Sequence, residues 1–286
     1  MRPAERLLTF LLEFPYMKRF VVLNKKVGET PLESLTFWKE SHPTYKTVRA
    51  TYAGRLDPMA SGKLLVLLGE ECKKKDTYTG LDKEYEVSVL LDIATDTGDL
   101  LGLPMYTGND TAPSRHDIAQ ACKDEVGTRS QQYPAYSSKT VRGTPLFMHA
   151  LRGTLLPNEI PTHMESIYSI EVLDAYRHAD NTVQGYITQT LRTVPRDSNP
   201  KKEAGKDFRQ DDIREAWEEL FARMPARDFT IIKIRVAAGT GTYMRTLAER
   251  IGETLGTSAC ALSIHRTRIG RRISFLGVPI WILNSK

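Results

Sequence analysis

One aspartate in this 286-residue chain stands where a fixed carboxylate could take part in catalysis. Asp57 precedes Pro58, and Gly54 and Gly62 stand a few residues away on either side. Because a proline disfavours the α region for the residue before it, Asp57 must adopt an extended or turn conformation. The apolar run at 64–68 predicts a buried strand, so the carboxylate lies on a rigid loop at the edge of a core. A lone Asp-Pro pair is more often a structural turn, and the rest of the chain has to decide between the two interpretations.

A second set of candidate residues lies at the start of a predicted helix near residue 244. The preceding segment 239–241, Gly-Thr-Gly, lacks the third glycine and the Lys-Ser/Thr pair of a nucleotide-binding motif. Arg245 falls in the first turn of the helix, where the helix dipole favours negative charge. Its position is explained if it faces a carboxylate or a phosphate, although a surface arginine is the simpler interpretation of this residue alone. Tyr243 shares the same turn.

Composition and charge limit the classes of function that fit the chain. Its 40 Lys and Arg residues outnumber 35 Asp and Glu, which gives a net charge of +5 and permits a polyanionic partner without demonstrating one. No apolar run approaches the ~20 residues that a membrane span requires. The three cysteines are scattered and the six histidines show no ligand spacing. We therefore expect no disulfide framework, no metal and a reducing, cytoplasmic compartment.

The elements that must position these residues alternate irregularly between strands and helices. Strands are predicted at 19–24, 64–68, 84–94, 168–172 and 232–236, with 183–190 as a possible partner of the strand at 168–172. Residues 262–273 are predicted to be a basic strand or a loop. Helices are predicted at 31–40, from a Ser114 cap to Gly127, at 213–224 and at 244–255. No repeat is visible, and the pattern favours an α+β fold with a mixed, largely antiparallel sheet flanked by helices.

Two stretches fall outside this pattern. Residues 1–16 carry a short apolar patch without a signal-peptide cleavage site, and we expect them to be a peripheral N-terminal extension. Residues 192–210 are charged and punctuated by proline and glycine, which predicts a mobile segment.

Six motifs, in this order, resemble those of TruB-type pseudouridine synthases. They are Tyr52-Ala-Gly-Arg-Leu-Asp57-Pro-Met-Ala-Ser-Gly62, Lys83-Glu-Tyr85, Thr95-Asp-Thr-Gly-Asp99, Pro134-Ala-Tyr-Ser-Ser-Lys139, Gly241-Thr-Tyr243-Met-Arg245-Thr-Leu247 and Ile264-His-Arg-Thr267. The segment 24–28, Asn-Lys-Lys-Val-Gly, is similar to the family's N-terminal Lys-Pro-x-Gly element. Each motif alone is weak, but six in order over residues 18–275 are specific.

The resemblance implies the pseudouridine synthase fold and a cofactor-free isomerisation of a uridine to pseudouridine in RNA. In this family the target is usually uridine 55 in the T loop of tRNA. The reaction breaks the N1–C1′ bond, rotates the uracil and joins C5 to C1′. A fixed carboxylate can assist as a nucleophile at C1′ or as a base at C2′, and the sequence leaves both routes open. By resemblance, Asp57 is that carboxylate.

The resemblance also assigns roles to other residues. Tyr85 matches a tyrosine that stacks on the target base, and Arg245 matches an arginine that pairs with the catalytic carboxylate and favours its charged form. We therefore predict that the Asp57 and Arg245 side chains lie within salt-bridge distance. Tyr243 and Ile264 match residues that line the pocket.

Binding of RNA is expected to depend on basic residues of the catalytic domain. Lys25 matches a lysine of the N-terminal element. The arginines at 266, 268, 271 and 272 form a candidate RNA-binding surface, and a solvated charge run explains them equally well. The chain stops soon after Arg272, so we expect one catalytic domain over 17–286, without a C-terminal PUA domain and with an enlarged segment near 176–228. The expected partner is the T arm of tRNA, with no obligate protein partner and a monomeric enzyme.

Departures from the family pattern leave the substrate open. Tyr52 stands where the family usually has the histidine of Gly-His-Thr-Gly, and it could replace that histidine by stacking. Arg55 takes the place of a small residue and is similar to the Gly-Arg-Leu-Asp of other pseudouridine synthase families, while Lys26 replaces a proline. One alternative is therefore the same chemistry on another uridine or another RNA.

Two further classes of function remain as alternatives. A non-catalytic RNA-binding or RNA-folding protein is disfavoured by the intact set Asp57, Tyr85 and Arg245, because binding alone does not require a carboxylate facing an anionic ligand. An unrelated small-molecule enzyme that uses Asp57 is disfavoured by the ordered motifs.

Overall fold

A mixed β-sheet organises the molecule. The computed structural model describes residues 18–107, 109–194, 209–275 and 278–283. Its strands are β1 (Phe20–Lys25), β2 (Ala50–Ala53), β3 (Ser61–Leu68), β4 (Asp82–Leu91), β5 (Ile93–Thr95), β6 (Pro104–Tyr106), β7 (Gly127–Gln132), β8 (Thr140–Val141), β9 (Thr144–Pro145), β10 (Thr162–Ala179), β11 (Asp228–Ala238), β12 (Ala259–Phe275) and β13 (Val278–Ile282). Its helices are α1 (Pro31–Glu40), α2 (Lys75–Thr79), α3 (Arg115–Asp124), α4 (Leu146–Leu151), α5 (Asp180–Thr193), α6 (Gln210–Arg223) and α7 (Met244–Thr254).

Within the described residues the large sheet has nine strands. Its main path runs β1-β3-β12-β4-β11-β10-β7, with β2 paired to β3 and β13 paired to β12. The pairs are antiparallel, except that β12 meets β3 in parallel. The prediction of an α+β fold with a mixed, largely antiparallel sheet is confirmed.

The main core forms because apolar side chains of neighbouring strands share one face. In the β4–β11 register Val87 lies opposite Ile234 and Val89 opposite Ile232, and all four are buried. Directly opposite residues of an antiparallel pair point to the same face, so each pair adds to one continuous apolar layer. Residues of α7, among them Leu247, pack in the same buried cluster. This packing brings the start of α7 to the central strands.

Helix α1 packs against the sheet at strand β3. Its start is set by a capping box, in which Thr30 accepts a hydrogen bond from the Glu33 amide and the Glu33 carboxylate accepts one from the Thr30 amide. Leu35 packs against Leu64 and Val66 of β3. The helix predicted at 31–40 is confirmed, and it helps to fix the strands that precede and follow the Asp57 loop.

The prediction that 183–190 pairs as a strand is wrong. These residues lie in α5, where Val183, Ile187 and Leu191 are at most 2% exposed. A spacing of four residues puts these side chains on one face of a helix, whereas strand pairing would require alternation. The neighbours of β10 in the sheet are β11 and β7 instead.

Helix α5 ends beside the N-terminal element. Gly28 has a φ of +86°, and a Cβ atom there would lie 2.1 Å from the Thr193 carbonyl oxygen. Only glycine therefore permits this close approach. The expected extension at 1–16, and the part of the expected mobile segment at 195–208, lie outside the described residues. No helix in the described part of the chain combines the length and apolarity that crossing a bilayer requires.

Candidate active site

The loop that carries Asp57 is held by its main chain and its apolar side chains. The Ala60 amide donates to the Asp57 carbonyl at 3.0 Å, and the Gly28 amide donates to the Pro58 carbonyl at 2.9 Å. Leu56 and Met59 are buried in the main core. The Asp57 side chain, by contrast, is 46% exposed. The carboxylate is thus presented to solvent from a loop whose other contacts face inward.

Two buried cations fix the carbonyl oxygens around this loop. The Lys25 ammonium donates to the carbonyls of Lys26 (3.0 Å), Pro58 (3.3 Å) and Ala60 (2.5 Å). Lys25 is only 1% exposed, and burial lowers the pKa of its side chain to about 8. A charged group buried in this way costs free energy unless its hydrogen bonds are made, and here the partners are loop carbonyls.

Arg266 holds the other end of the loop in the same manner. Its Nη2 donates to the Gly54 carbonyl at 3.1 Å, its Nη1 to the Arg55 carbonyl at 3.3 Å and its Nε to the Lys63 carbonyl at 2.6 Å. Arg266 is 1% exposed, so it does not belong to an exposed basic surface, contrary to our expectation. On that strand Arg268 and Arg271 remain exposed.

Arg245 faces Asp57 from the first turn of α7. Its Nε lies 3.0 Å from Asp57 Oδ2, as an ion pair without the geometry of a hydrogen bond. The predicted salt-bridge distance is therefore confirmed. Nη1 donates to the Thr97 carbonyl at 2.6 Å and Nη2 to the Tyr136 carbonyl at 3.2 Å. Because Arg245 is 4% exposed and bound on both sides, its guanidinium has a single orientation.

A second carboxylate, that of Asp99, also faces Arg245, although we had assigned no role to it from the sequence. Asp99 Oδ2 lies 3.6 Å from Arg245 Nε, and the side chain is 4% exposed. Its Oδ1 accepts hydrogen bonds from the Leu101 amide and the Thr97 hydroxyl, each at 2.9 Å. Burial raises the pKa of Asp99 although Arg245 opposes this shift. The Thr95-Asp-Thr-Gly-Asp99 motif contained the signal, but the sequence does not tell which of its two aspartates turns inward.

A third acidic group lies one helical turn after Arg245. Glu249 borders Gly98, where a Cβ atom would come within 2.8 Å of Glu249 Oε1. Burial raises the pKa of Glu249 to about 7, although the charge of Arg245 lowers it in part. Three carboxyl groups thus surround one guanidinium, and the third titrates near neutral pH.

An aromatic cluster borders the ion pair. Tyr243 caps the start of α7, with its ring 6.0 Å from the Arg245 guanidinium carbon. The ring meets Tyr133 and His163 edge-on, each at 6.2 Å, and those two rings stack on one another at 4.1 Å. Burial raises the pKa of Tyr243, and the negative charge of Asp57 adds to the shift. The structure thus brings Tyr243 to Asp57 and Arg245, whereas Tyr133 and His163 were not among our candidates.

Tyr85 and Ile264 lie on the sheet next to the loop. In the β4–β12 register Tyr85 is directly opposite Arg266, whose side chain binds the loop carbonyls, and Ile264 is opposite Val87. The Tyr85 ring is half-buried against the main core, to which Leu56 of the loop also belongs.

Tyr52 lies apart from this group. Its ring packs in the small cluster beneath α1, with the Lys75 ammonium 5.8 Å from the ring centre.

Comparison with known proteins places the chain among pseudouridine synthases. The family model for "TruB family pseudouridylate synthase (N terminal domain)" matches residues 42–190, just over half of the chain. The tRNA pseudouridine synthase B of Blochmanniella floridana is 25% identical over 266 residues, which cover 93% of this chain and 81% of that protein. The tRNA pseudouridine synthase B of Borreliella burgdorferi (strain ZS7) is 26% identical over 251 residues, covering 88% and 69%.

A solved structure shows the same fold. The chain is similar to one in the crystal structure of a Cbf5-Nop10-Gar1 complex, with a TM-score of 0.51 and 20% sequence identity. The match covers 88% of this chain and 48% of that one, so this chain spans about half the length of its structural neighbour.

Proposed function

We propose, from the premise that this chain belongs to the TruB family of pseudouridylate synthases, that it isomerises a uridine of tRNA to pseudouridine. The observation that carries the proposal is the ion pair of Asp57 with Arg245 at 3.0 Å. A half-exposed carboxylate that pairs with a buried guanidinium is held in place and can still reach a substrate. An RNA-binding protein without activity has no need of such a carboxylate, because it would repel phosphates.

Asp57 is the proposed catalytic residue. It acts on the sugar either as a nucleophile at C1′ or as a base that removes the C2′ proton. In both routes the uracil leaves with the electron pair of the N1–C1′ bond and turns, and its C5 then bonds to C1′. In the first route the bond between Asp57 and C1′ breaks in this step, and in the second route Asp57 returns the proton to C2′. The C5 proton is then lost and N1 gains one. The loop contacts of Lys25 and Arg266 favour this role, because a misplacement of about 1 Å can cost 10²-fold in rate.

The neighbouring side chains supply the pocket in this proposal. Arg245 pairs with Asp57 and holds it in place, while Tyr85 stacks on the extruded uracil and helps to move the C5 proton. Tyr243 and Ile264 line the pocket. Lys25 and Arg266, proposed from the sequence as RNA-binding residues, act through the loop carbonyls that they bind.

The proposed substrate is uridine 55 in the T loop of tRNA, with the T arm as the partner of a monomeric, cytoplasmic enzyme. The relatives' name, tRNA pseudouridine synthase B, supports tRNA as the substrate class. Tyr52 and Arg55 favour a second candidate, the same reaction on another uridine or RNA. Tyr52 packs in the small cluster, so stacking on an RNA base would require its ring to turn.

The test is to map pseudouridine in tRNA after incubation with the purified protein, by mass spectrometry or by chemical modification. The wild type should modify the T-loop uridine and Asp57→Asn should not. Asp174→Asn, which removes an exposed carboxylate of β10, is the matched control and should retain full activity. An Asp57→Asn variant as active as the wild type would contradict the catalytic assignment. Modification at another position would favour the second candidate, and tRNA binding without any pseudouridine would favour the non-catalytic class.

A further inference from the structure

The orientation of Arg245 depends on two carbonyl groups from separate parts of the chain. The Thr97 carbonyl belongs to the turn between β5 and β6, and the Tyr136 carbonyl belongs to the loop after β7. If these two segments moved apart, the guanidinium would lose one of its two anchors and could turn away from Asp57. The position of the guanidinium therefore depends on contacts that join the turn to the loop.

Three side chains join the turn to the loop. The Tyr136 hydroxyl donates to Asp96 Oδ2 at 3.0 Å, and Arg209 Nη1 donates to the same oxygen at 2.7 Å. The Arg209 guanidinium also lies over the Tyr136 ring, 4.9 Å from its centre, which is a cation–π contact. Asp96 directly precedes Thr97 in the chain, and Tyr136 carries the second carbonyl itself. The clamp formed by Asp96, Tyr136 and Arg209 therefore sets the spacing of both anchors.

Arg209 lies within the segment near 176–228 that the sequence predicts to be enlarged. It directly precedes α6, and this helix is itself fixed to the same turn, because Trp217 Nε1 donates to the Leu100 carbonyl at 3.2 Å. Trp217 and Ile213 are at most 2% exposed. The backbone of Arg209 has a φ of 53°, in the left-handed region that costs free energy for a residue other than glycine. That conformation coincides with the inward placement of its side chain.

We propose that Arg209 is a positioning residue for the reaction, which acts by clamping Asp96 to Tyr136 and so fixing Arg245 against Asp57. This inference rests on the proposed role of the Asp57–Arg245 pair in catalysis. The main rival is a direct contact of Arg209 with an RNA phosphate. The geometry disfavours it, because the side chain is only 20% exposed and its Nε and Nη2 are buried, without a hydrogen-bond partner in the part of the chain that the structure describes. The charge is directed at Asp96 and at the ring, not at solvent.

The experiment measures single-turnover rate and tRNA dissociation constant separately for a set of variants. Arg209→Gln should lower the rate constant about 10-fold, as a small misplacement of Arg245 would, and leave the Kd for tRNA within about 2-fold. Arg209→Lys keeps the charge but loses the planar stacking and should recover part of the rate. Asp96→Asn should match Arg209→Gln, and the double variant should be no slower than either single one, because both break the same clamp. Arg223→Gln removes an exposed arginine at the end of α6, the helix that Arg209 precedes, and should behave as the wild type.

The outcomes separate this inference from the proposed function. An unchanged rate in Arg209→Gln, or additive losses in the double variant, overturns the clamp while the wild-type activity stands. A raised Kd with a salt dependence reduced by about one charge and an unchanged saturating rate shows a phosphate contact, and also overturns it. Arg209→Gln is not usable if circular dichroism shows that it does not fold. In that case the single-turnover rates and tRNA dissociation constants of Arg209→Lys and Asp96→Asn are compared instead, and the same outcomes support or overturn the clamp. A wild type that forms no pseudouridine overturns the proposed function and this inference with it.

Discussion

The two members of the central ion pair are held in place by opposite chemical means. On the carboxylate side, the buried cations Lys25 and Arg266 bind main-chain carbonyls of the Asp57 loop. On the guanidinium side, main-chain carbonyls and the buried carboxylate of Asp99 bind Arg245. Cationic side chains thus fix the backbone of the Asp57 loop, whereas carbonyl and carboxylate oxygens fix the guanidinium of Arg245.

The difference has a consequence for sequence variation. A loop that is fixed through carbonyl oxygens can change its side chains without losing its shape, since Arg266 binds the carbonyls of Gly54 and Arg55 whatever side chain Arg55 carries. A change of side chain at Arg55, such as the departure expected from the resemblance, is therefore compatible with an unchanged loop shape. The guanidinium side has no such freedom, because Arg245 is held through its side chain and by several distant segments.

The largest effect is expected on the guanidinium side, from Arg245→Met. This change removes the partner of Asp57 and leaves Asp99 buried without its countercharge. Breaking a buried pair from one side costs about 3 kcal/mol or more, and we expect the free energy of unfolding to fall by that amount. The single-turnover rate should fall by about 10²-fold or more, because the carboxylate loses both its position and its charge partner.

Urea unfolding and a single-turnover assay measure these two losses. Arg235→Met is the control, since it removes an arginine whose ion pairs with Glu86 and Glu171 are partly exposed. It should cost about 1 kcal/mol or less and leave the rate unchanged. Equal stability of the Arg245 and Arg235 variants would show that the guanidinium side is not the rigid side.

A smaller effect is expected on the carboxylate side, from Lys25→Met. Three carbonyls lose a charged donor, but the cost of burying the ammonium disappears at the same time. The two terms partly cancel, and we expect a loss of about 1–3 kcal/mol in the free energy of unfolding. The rate should fall about 10-fold, because the Gly28 and Ala60 amides still hold the loop. A loss of activity equal to that of Arg245→Met would remove the proposed difference between the two sides.

Sequence patterns predicted the helices that have a regular spacing of apolar residues and the contact that involves recognisable motifs. The helices at 31–40 and 244–255 follow from the spacing of apolar residues, and the Asp57–Arg245 contact follows from the family resemblance that the ordered motifs carry. The helix at 183–190 was missed because Val183 and Ile187 fit a short apolar strand as well as a helical stripe, and only the contacts of the folded chain decide. The burial of Lys25 and Arg266 was missed because a basic residue on a strand is ordinarily predicted to be exposed. The sequence does not show that loop carbonyls come close enough to bind these two side chains.

Glu249, one of the three acidic residues around Arg245, should make the free energy of unfolding depend on pH. The folded-state pKa of Glu249 is raised to about 7 by burial, whereas an unfolded glutamate titrates at 4.5. The folded protein thus binds more protons than the unfolded one between these values, so this contribution to stability is complete below pH 4.5 and is lost as the pH rises through 7. The free energy of unfolding of the wild type, relative to Glu249→Gln, should therefore fall from pH 4.5 to 7.5 in urea titrations. A difference that stays constant over this range would show that Glu249 is already ionised beside Arg245.

The smallest effect is expected from Arg271→Gln, the exposed counterpart of the buried Arg266 on the same strand. Because Arg271 is exposed, its charge would only add to the field that attracts the phosphates of the proposed tRNA substrate. We expect the Kd for tRNA to rise about 2-fold at physiological salt and the salt dependence of binding to lose about one charge, with the saturating rate unchanged. Arg266→Met should show the reverse pattern, a lower rate with a Kd and a salt slope like those of the wild type, because its guanidinium contacts carbonyls and not solvent. If both variants changed only the Kd, Arg266 would have to leave its buried site when RNA binds, and the carboxylate side would be the flexible one.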